Sequence, residues 1–571
     1  MRVVVVGGGI SGVAAAKAAL LLGSEVTILE ASSSLGGLMA KIANCRVGFK
    51  TFFDEIRNHP GLEVITGATI EWASERGGLF EILLEDGSSI SASSIVVASG
   101  AQPYEPQRKG KRVMTSLEYD RLIDQETERL PEGLRRIAFV LCVGSRSREY
   151  PLCSSVCCSY TLRQIRWTLQ RAKPEVTVFY NDLRLSGQEF FLEKALREAG
   201  VRFLRTSSRN FEETEEGVLV TYYVGGRIRQ ERFDSIVLSC ALRPSPSLRR
   251  LSEIFGFSLN EFGFVKEQQP LVTTRKGIFA CGCALEPMTI KDSIMTGLGA
   301  GLLASGRNGD WGAYIYREDR PRLEIDGDAE SYIFFLGTDD PFLAYFYEYL
   351  SCSLIELARR MRGMGKEVLF ITRNVVTPSY SELSYERARR DGVIFIHLEE
   401  GEEVRLEKDG IRAGSRYFRA ERLVTLEELS ASLRGRQFLS LFRSEPQLRF
   451  SPTRWNRGRY HVGFVRYPRE ERWEGRELLC ASCEAAMDRV SKKTLPMIDV
   501  SRCSGCGSCE AACPAEAIRV SFEEAPIPVF GLEATLRSPL ARLKEDSCLG
   551  CGLCASLCPS HAIDNDAYKG C

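Results

Sequence analysis

Two cysteine runs near the C-terminal end of the sequence have the spacing of iron-sulfur ligands. The first run contains Cys503, Cys506, Cys509 and Cys513, and the second contains Cys548, Cys551, Cys554 and Cys558. A proline, Pro514 or Pro559, follows the last thiol of each run. Where two [4Fe-4S] clusters share a domain, three closely spaced thiolates hold one cluster and the fourth crosses to the other. Because the spacing and its proline occur twice, iron-sulfur ligation explains the runs better than zinc.

The crossing rule assigns these thiols to two clusters. We expect one cluster to be held by Cys503, Cys506, Cys509 and Cys558, and the second by Cys548, Cys551, Cys554 and Cys513. Together the two runs predict a compact α+β domain of the bacterial two-cluster ferredoxin type over residues 496–571.

A glycine turn at the start of the sequence has the pattern of a dinucleotide site. Gly7, Gly9 and Gly12 form GxGxxG between an apolar strand and a helix, and Glu30 ends the next strand. Glycines let the backbone approach a pyrophosphate at the helix N-terminus, and the carboxylate can accept the ribose hydroxyls. A glycine turn that serves only tight packing is the alternative. The strand, the helix and the acidic residue are all in place, which favours the dinucleotide site.

A second glycine segment favours FAD over NAD as the dinucleotide. KGIFACGCA (276–284) predicts a strand that leads to Gly282 at the head of a helix from Lys291 to Ser305. In flavoproteins built from two such parts, this strand, glycine and helix lie against the ribityl chain of the flavin. From the strand, the glycine and the helix we predict that Gly282 contacts FAD. The sequence departs from the usual pattern at the next residue, where Cys283 stands in place of an aspartate.

A third group of thiols lies in LCVGSRSREYPLCSSVCCSY. Its members, within 17 residues, are Cys142, Cys153, Cys157 and Cys158. A disulfide-reductase-like flavoprotein would carry a second glycine turn for NAD(P)H here, and only Gly144 of such a turn is present. Four thiols so close together in a reducing compartment suggest a metal cluster. On spacing alone, a redox disulfide between Cys157 and Cys158 or a zinc site stays open.

The composition limits the class of protein. The chain has 571 residues with 75 basic and 75 acidic side chains, so no overall field favours nucleic acid or an anionic membrane. Its 20 cysteines suit either disulfides or metal ligation. MRVVVVGGGISG lacks a small-residue cleavage site, so we expect a cytoplasmic protein without a transmembrane segment and with thiols free for metal.

The remaining cysteines carry weaker patterns. Cys45 alone is typical of a buried apolar residue. Cys480 and Cys483 form CxxC with no second pair nearby, so we interpret them as helix-packing residues. Whether any of these three binds metal stays open.

Comparison of the sequence with itself predicts an internal repeat. At an offset of about 192 residues, 176–204 lies over 368–396 and 137–144 lies over 331–337, with strand-helix-strand patterns. Two unrelated α/β segments of similar periodicity are the alternative. In order, the predicted domains are an FAD-binding domain, first part (1–130), an inserted α/β domain with a cluster (131–235), the FAD-binding domain, second part (236–324), a degenerate repeat-like α/β lobe (325–495) and the ferredoxin domain (496–571).

Several motifs together resemble the A subunit of heterodisulfide reductases. They are GGGISGVAAA, SLGGLM (34–39), VMTSLEYDRLI (113–123), the CVGSR...C...CC run and GIFACGCALEPMTIKDSI. The resemblance implies a thioredoxin-reductase-like α/β fold with FAD, contacted also by Gly37 and Lys291. It implies a third [4Fe-4S] cluster beside the flavin, held by Cys142, Cys153, Cys157 and Cys158. It also places Arg163 near the flavin, where we would expect lysine. A surface arginine is the alternative.

The function implied by the resemblance is electron transfer between one FAD and three [4Fe-4S] clusters. The chain would be an FAD- and iron-sulfur-dependent oxidoreductase, active in a multi-subunit anaerobic complex. Its partners would be subunits like heterodisulfide reductase B and C, a hydrogenase or dehydrogenase, and ferredoxin. In the family the flavin can bifurcate electrons, which these residues do not decide. Two alternatives stay open: a non-catalytic electron-wiring subunit, and a stand-alone NAD(P)H:acceptor oxidoreductase, which would need a nucleotide turn that 137–160 lacks.

Overall fold

The computed structural model describes the chain in segments. They are residues 1–42, 45–107, 110–124, 134–185, 188–206, 209–306, 311–318, 328–337, 341–399, 401–426, 428, 459–466, 496–499, 509–510, 517–529, 532–544, 554 and 563–564. Within these segments, no helix combines the length and the apolar character needed to cross a membrane.

The first part of the chain begins with a strand, a helix and a second strand. Its elements are β1 (Arg2–Val6), α1 (Ile10–Leu21), β2 (Glu25–Glu30), α2 (Arg46–Arg57), β3 (Leu62–Thr66), β4 (Ile70–Arg76), β5 (Leu79–Leu84), β6 (Ser89–Ala92), β7 (Ser94–Val97), β8 (Ala101–Pro103), β9 (Val113–Thr115) and α3 (Ser116–Asp124). The valine run of β1 is buried, and β1 pairs in parallel with β2 on one side and β7 on the other. The predicted βαβ unit is therefore confirmed.

The next part of the chain starts a new α/β segment at Arg136. Its elements are β10 (Arg136–Val143), α4 (Cys157–Arg171), β11 (Glu175–Tyr180), α5 (Gln188–Glu198), β12 (Arg202–Arg205), β13 (Arg209–Thr214), β14 (Gly217–Val224), β15 (Arg227–Phe233), β16 (Ser235–Cys240), β17 (Leu242–Pro244), α6 (Ser247–Phe255), β18 (Glu267–Gln269), β19 (Val272–Thr273), β20 (Ile278–Ala280) and α7 (Ile290–Ser305). Strands β18 to β20 return to the first sheet, whose order is β18-β19-β20-β7-β1-β2-β3. That sheet is therefore built from two stretches that flank the central cysteines.

Helices α1 and α7 pack at close range against each other. A Cβ at Gly301 would lie 2.0 Å from the carbonyl oxygen of Ala15, and one at Gly297 would lie 2.3 Å from that of Ser11. Only a residue without a side chain permits this approach. The contact therefore fastens the later stretch of the sheet to the helix that follows the glycine turn.

A separate sheet carries the central cysteines. Its order is β12-β11-β10-β16-β9, all parallel, and the meander β13-β14-β15 is inserted between β12 and β16. We call this part, residues 113–240, the cysteine lobe. Its sheet extends beyond the predicted limits of the inserted domain, 131 and 235, because β9 and β16 both belong to it.

A second lobe, residues 328–426, repeats this architecture. The elements in this part of the chain are β21 (Trp311–Glu318), β22 (Ser331–Leu336), α8 (Pro341–Gly363), β23 (Glu367–Thr372), α9 (Ser381–Arg390), β24 (Ile394–His397), β25 (Val404–Glu407), β26 (Gly410–Ala413), β27 (Arg416–Arg419), β28 (Arg422–Thr425) and β29 (Arg459–Arg466). The sheet order is β24-β23-β22-β28, with the meander β25-β26-β27 inserted before the last strand. Strands, helices and meander follow in the same succession as in the cysteine lobe, so the predicted repeat is confirmed as a repeated topology. Of the predicted lobe, residues 325–327, 338–340, 400, 427, 429–458 and 467–495 lie outside the described residues.

The C-terminal elements form two antiparallel pairs. They are β30 (Met497–Ile498), β31 (Ile518–Val529), β32 (Leu532–Leu543) and β33 (Ile563–Asp564), with β30 paired to β33 and β31 to β32. Cys509 and Cys554, the third thiol of each run, are buried in one apolar cluster with Ile518 and Leu540. The thiols that lie outside the described residues are Cys503, Cys506, Cys513, Cys548, Cys551 and Cys558 of the two runs, together with Cys480, Cys483 and Cys571.

The close contact between α1 and α7 predicts a size limit at Gly301. Gly301→Ala should lower the free energy of unfolding by about 1–3 kcal/mol, because the added methyl group collides with the Ala15 carbonyl. Thermal unfolding of the purified chain measures the loss. Gly363→Ala is the matched control, since nothing lies within 4 Å of a Cβ there and alanine is the better helix former. Equal unfolding midpoints for the two variants would contradict the prediction.

Candidate functional site

The glycine turn after β1 is closed on one side and open on the other. Gly7 has a φ of +113°, and a Cβ at Gly12 would lie 1.9 Å from the Gly7 carbonyl oxygen. At Gly9, the residue before α1, nothing lies within 4 Å of a Cβ among the described atoms. The open side faces the N-terminus of α1, where backbone amides and the positive end of the helix dipole receive a pyrophosphate.

Glu30 is fixed at the end of β2 beside this turn. Its Oε2 accepts a hydrogen bond from the Gly8 amide at 2.7 Å, and its Oε1 accepts one from the Ser32 amide at 2.8 Å. Gly37 lies over the turn, because its Cβ would be 3.4 Å from the Cα of Gly9. The structure therefore brings together the residues predicted for the dinucleotide, which are Gly7, Gly9, Gly12, Glu30 and Gly37. These residues fit an FAD pyrophosphate and ribose.

Gly282 follows β20 and packs closely against Ser11 of α1, but it does not directly precede α7. It starts a short 3-10 turn, and its amide donates to Oγ1 of Thr296 in α7 at 3.0 Å. Helix α7 begins one residue before Lys291 and is capped by Thr289, whose hydroxyl accepts from the Asp292 amide at 3.2 Å. The predicted limits of this helix, Lys291 to Ser305, therefore agree with the structure to within one residue, and Thr289 provides its N-cap. Contact of Gly282 with FAD stays a prediction.

The four central cysteines meet between the end of β10 and the start of α4. Cys142 is the next-to-last residue of β10, Cys153 lies on the connecting loop, and Cys157 and Cys158 open α4. Each is at most 9% exposed. The thiols of Cys142 and Cys157 are hydrogen-bonded, as are those of Cys157 and Cys158. We call this set of four the cysteine pocket.

The loop between β10 and α4 holds an unusual backbone conformation. Cys142, Arg146 and Ser155 have φ values of 61°, 54° and 63°. Residues with side chains rarely adopt this left-handed region, and they do so only where the surrounding structure fixes them. One hydrogen bond that holds this segment runs from the Ser155 amide to the sulfur of Cys153, at 3.3 Å. The surroundings must therefore hold this segment, which carries Cys142 and Cys153, in place.

Buried charges surround the cysteine pocket. Glu382 of the second lobe contacts Arg146 at 2.8 Å and Arg184 at 2.5 Å. Asp182 of the cysteine lobe contacts the same two guanidinium groups, at 2.9 and 3.6 Å. None of the four side chains is more than 9% exposed. The amide of Arg184 also donates to the sulfur of Cys158 at 3.5 Å. This network joins the two lobes at the pocket.

The surroundings act differently on the individual groups. The hydrogen bond with Cys157 and the nearby guanidinium charges lower the pKa of Cys142 to about 6. Burial raises the pKa of Cys153 to about 12. Burial alone would raise the pKa of Asp182, but the adjacent guanidinium groups bring it well below its usual range. The thiolate, which is the metal-binding form, is therefore favoured first at Cys142.

Several buried hydrogen-bond donors near the cysteine pocket have no partner among the described residues, and they fit a ligand that offers sulfur atoms as acceptors. Nη1 of Arg146 and Nε of Arg184 are buried with no hydrogen-bond partner among the described residues, and so are the hydroxyls of Ser145 and Ser155. Leaving such donors unpaired costs free energy. The sulfurs of a [4Fe-4S] cluster accept hydrogen bonds of this kind. The described residues include no group of three or more His, Cys, Asp or Glu side chains arranged around a single metal ion.

Two other predicted residues are accounted for. Arg163 lies on α4, and its Nη2 is 3.4 Å from Glu189 of α5. A role beside the flavin stays a prediction. Cys45 is buried directly before α2 in the core with Met39 and Phe49, as expected of an apolar residue.

The sequence did not reveal the charged residues of the pocket. Arg146 is part of CVGSR, but the motif gave no reason to assign it a role. Asp182, Arg184 and Glu382 belong to no motif. Their pairing depends on how the two lobes dock, and the repeat predicted a second lobe without predicting its contacts.

Comparisons with known proteins match both ends of the chain. Residues 1–121 match the family described as pyridine nucleotide-disulphide oxidoreductase, and residues 502–562 match the 4Fe-4S dicluster domain. The A subunit of the H(2):CoB-CoM heterodisulfide,ferredoxin reductase of Methanothermobacter thermautotrophicus is 28% identical over 258 residues, which are 40% of this chain and 39% of the relative. The A subunit of the ferredoxin:CoB-CoM heterodisulfide reductase of Methanosarcina acetivorans is 31% identical over 171 residues, 28% of this chain and 21% of the relative.

The fold comparison gives thioredoxin reductase of T. acidophilum, with a TM-score of 0.41 and 18% identity over 53% of this chain and 97% of that chain. The chain spans less than half the length of the curated relatives it matches. The sequence comparisons confirm the resemblance to the A subunit of heterodisulfide reductases. They also confirm an α/β flavoprotein fold of the disulphide oxidoreductase type with a C-terminal ferredoxin domain.

The buried ion pairs predict that Glu382 contributes strongly to stability. Glu382→Gln should lower the free energy of unfolding by about 3 kcal/mol, because it leaves Arg146 and Arg184 short of a buried counter-charge. Denaturant unfolding followed by tryptophan fluorescence measures the loss. Glu386→Gln is the matched control, because Glu386 lies one turn later on α9 and is half-exposed. Its free energy of unfolding should change by less than about 0.5 kcal/mol. Similar losses in both variants would speak against the buried pairs.

Proposed function

We propose that this chain is an electron-transfer flavoprotein subunit that passes electrons between FAD and [4Fe-4S] clusters within a larger redox complex. One observation carries the proposal: buried thiols stand at the start of α4, where a nicotinamide-binding flavoprotein would present a glycine turn. Guanidinium groups surround these thiols and suit a negatively charged ligand set. The resemblance to the A subunit of heterodisulfide reductases points to the same function.

The glycine turn and its neighbours would hold the FAD. When bound, FAD supplies electron-pair chemistry that can be divided into single-electron steps. Gly9 leaves room for the pyrophosphate beside the N-terminus of α1, and Glu30 is oriented to accept the ribose hydroxyls. The chain would further contact FAD through Gly37, Gly282 and Lys291. These residues bind and orient the cofactor.

The cysteine pocket would hold a third cluster, in addition to the two of the ferredoxin domain. Burial of Cys142, Cys153, Cys157 and Cys158 excludes water from this site. Arg146 and Arg184 offset the negative charge of the thiolate ligands. The hairpin β31-β32 contacts α4 and α5. This contact supports electron transfer between the pocket and the ferredoxin domain within one chain.

The partners follow from the relatives. Those named above are subunits of heterodisulfide reductases whose names include ferredoxin. The chain would accordingly work in the cytoplasm with subunits like heterodisulfide reductase B and C and with a hydrogenase or dehydrogenase. A more specific version of the proposal is that the FAD bifurcates electrons. Anaerobic co-purification, with identification of the bound subunits, tests this assignment.

Cofactor content tests the proposal directly. Anaerobically purified protein should contain one FAD and about twelve irons per chain, four in each of three clusters. Cys153→Ser should reduce the iron to about eight, because the pocket loses a ligand. Cys240→Ser, in the same lobe but outside the pocket, should keep about twelve irons. A content of eight irons in the unsubstituted chain, with all four pocket thiols open to alkylation, would contradict the prediction of a third cluster.

The electron donor distinguishes this proposal from a stand-alone NAD(P)H oxidoreductase. NADH and NADPH should not reduce the isolated chain at a catalytically useful rate, because the pocket occupies the helix N-terminus that would receive their pyrophosphate. Reduced low-potential ferredoxin should bleach the flavin in the same stopped-flow experiment. Bleaching by NADH alone within one turnover would favour the stand-alone enzyme.

A further inference from the structure

The two lobes contact each other through the ends of their third strands. Arg205 ends β12 of the cysteine lobe and donates hydrogen bonds to the carbonyl of Arg373 and to Oδ1 of Asn374, the latter at 3.1 Å. His397 ends β24 of the second lobe, and its Nδ1 lies 3.4 Å from Oδ1 of Asp182. Each lobe thus reaches the loop that follows the second strand of the other.

The repeat relates these contacts to one another. At the offset of about 192 residues, His397 is the counterpart of Arg205, and Asn374 is the counterpart of Asp182. The same pair of positions therefore meets twice, once in each direction. Reciprocal contacts of this kind characterise an isologous interface between two copies of one fold.

This interface continues to the cysteine pocket. The Leu183 amide donates to Oδ1 of Asn374 at 3.0 Å, and the Cys153 amide donates to the carbonyl of Ser379 at 3.4 Å. Beyond them, Glu382 reaches the guanidinium groups described above. The second lobe therefore provides acceptors to a pocket whose four thiols all come from the other lobe.

The two halves of the interface differ at the position of Glu382. Its counterpart in the cysteine lobe is Phe190, whose ring packs against that of Tyr347 with centroids 5.6 Å apart. At this pair of positions, one side of the interface is therefore apolar, and the other side carries the buried charges. The repeat does not by itself require a carboxylate at position 382, because the counterpart is a phenylalanine. The carboxylate of Glu382 lies on the side of the cysteine pocket.

We propose that the second lobe is a built-in partner of the cysteine lobe and that Glu382 is a positioning residue of the cysteine pocket. Its carboxylate holds Arg146 and Arg184 beside the sulfurs across the interface. Its negative charge also opposes the addition of an electron to the pocket's iron-sulfur group. The redox part rests on the proposed function, whereas the packing part is independent of it.

The packing part is tested on full-length, iron-free protein. A maleimide should label the pocket thiols at least about tenfold faster in Glu382→Gln than in Glu386→Gln, because loss of the buried pair favours local opening of the interface. Asn374→Ala should accelerate labelling in the same direction, because it removes the acceptor for the Leu183 amide and for Arg205 at the interface. Peptide mapping of residues 137–163 identifies the labelled thiols.

The redox part is tested on the iron-loaded protein by titration monitored with electron paramagnetic resonance. Glu382→Gln should shift the pocket cluster to higher potential, since one buried negative charge is lost. A tenfold rise in the ratio of reduced to oxidised cluster at fixed potential corresponds to about 59 mV for one electron. Glu382→Asp, which keeps the charge, should restore the potential, and Glu386→Gln should match the unsubstituted chain.

The outcomes separate the two proposals. If the unsubstituted chain binds no iron at the pocket, the proposed function fails, and labelling alone decides the role of the second lobe. If the pocket is loaded but Glu382→Gln and Glu386→Gln agree in labelling and in potential, the positioning role is overturned and the proposed function stands.

Discussion

Two buried guanidinium groups need counter-charges, and the arrangement of the lobes follows from that need. Arg146 and Arg184 receive one carboxylate, Asp182, from their own lobe, but the other, Glu382, comes from the second lobe. Leaving a buried charge without its partner costs several kcal/mol. The cysteine lobe therefore does not complete its own pocket. The second lobe is part of the site, although all four thiols of the pocket lie elsewhere.

The glycine turn and the cysteine pocket use the same position in two related sheets. Each lies where a parallel strand passes into a helix, β1 into α1 and β10 into α4. The N-terminus of a helix favours negative charge. In one sheet glycines leave the backbone open to a pyrophosphate, and in the other cysteines present thiolates. The same structural position thus carries glycines in one sheet and buried thiols in the other.

Sequence patterns were sufficient where local forces decide the structure. The buried valines of β1, the glycine turn and the repeated strand-helix-strand units follow from apolar periodicity and from the need for glycine at close contacts. The predicted helix from Lys291 to Ser305 agrees with α7 to within one residue, but the short 3-10 helix that Gly282 begins was not predicted, because the apolar pattern does not record so short an element. The charges around the pocket could not be predicted, because Asp182 and Glu382 come to the same guanidinium groups only when the start of α9 docks on the cysteine lobe.

The order of the elements along the chain has a consequence for synthesis on the ribosome. The strands of the cysteine lobe are complete at Cys240, whereas Glu382 is made roughly 140 residues later, which takes about 7–28 s at ordinary elongation rates. Domains generally fold as they emerge. For that interval the thiols of the nascent lobe lack their covering loop and the charge that pairs with Arg146 and Arg184. The order of translation therefore leaves the four thiols accessible from outside before the second lobe closes over them.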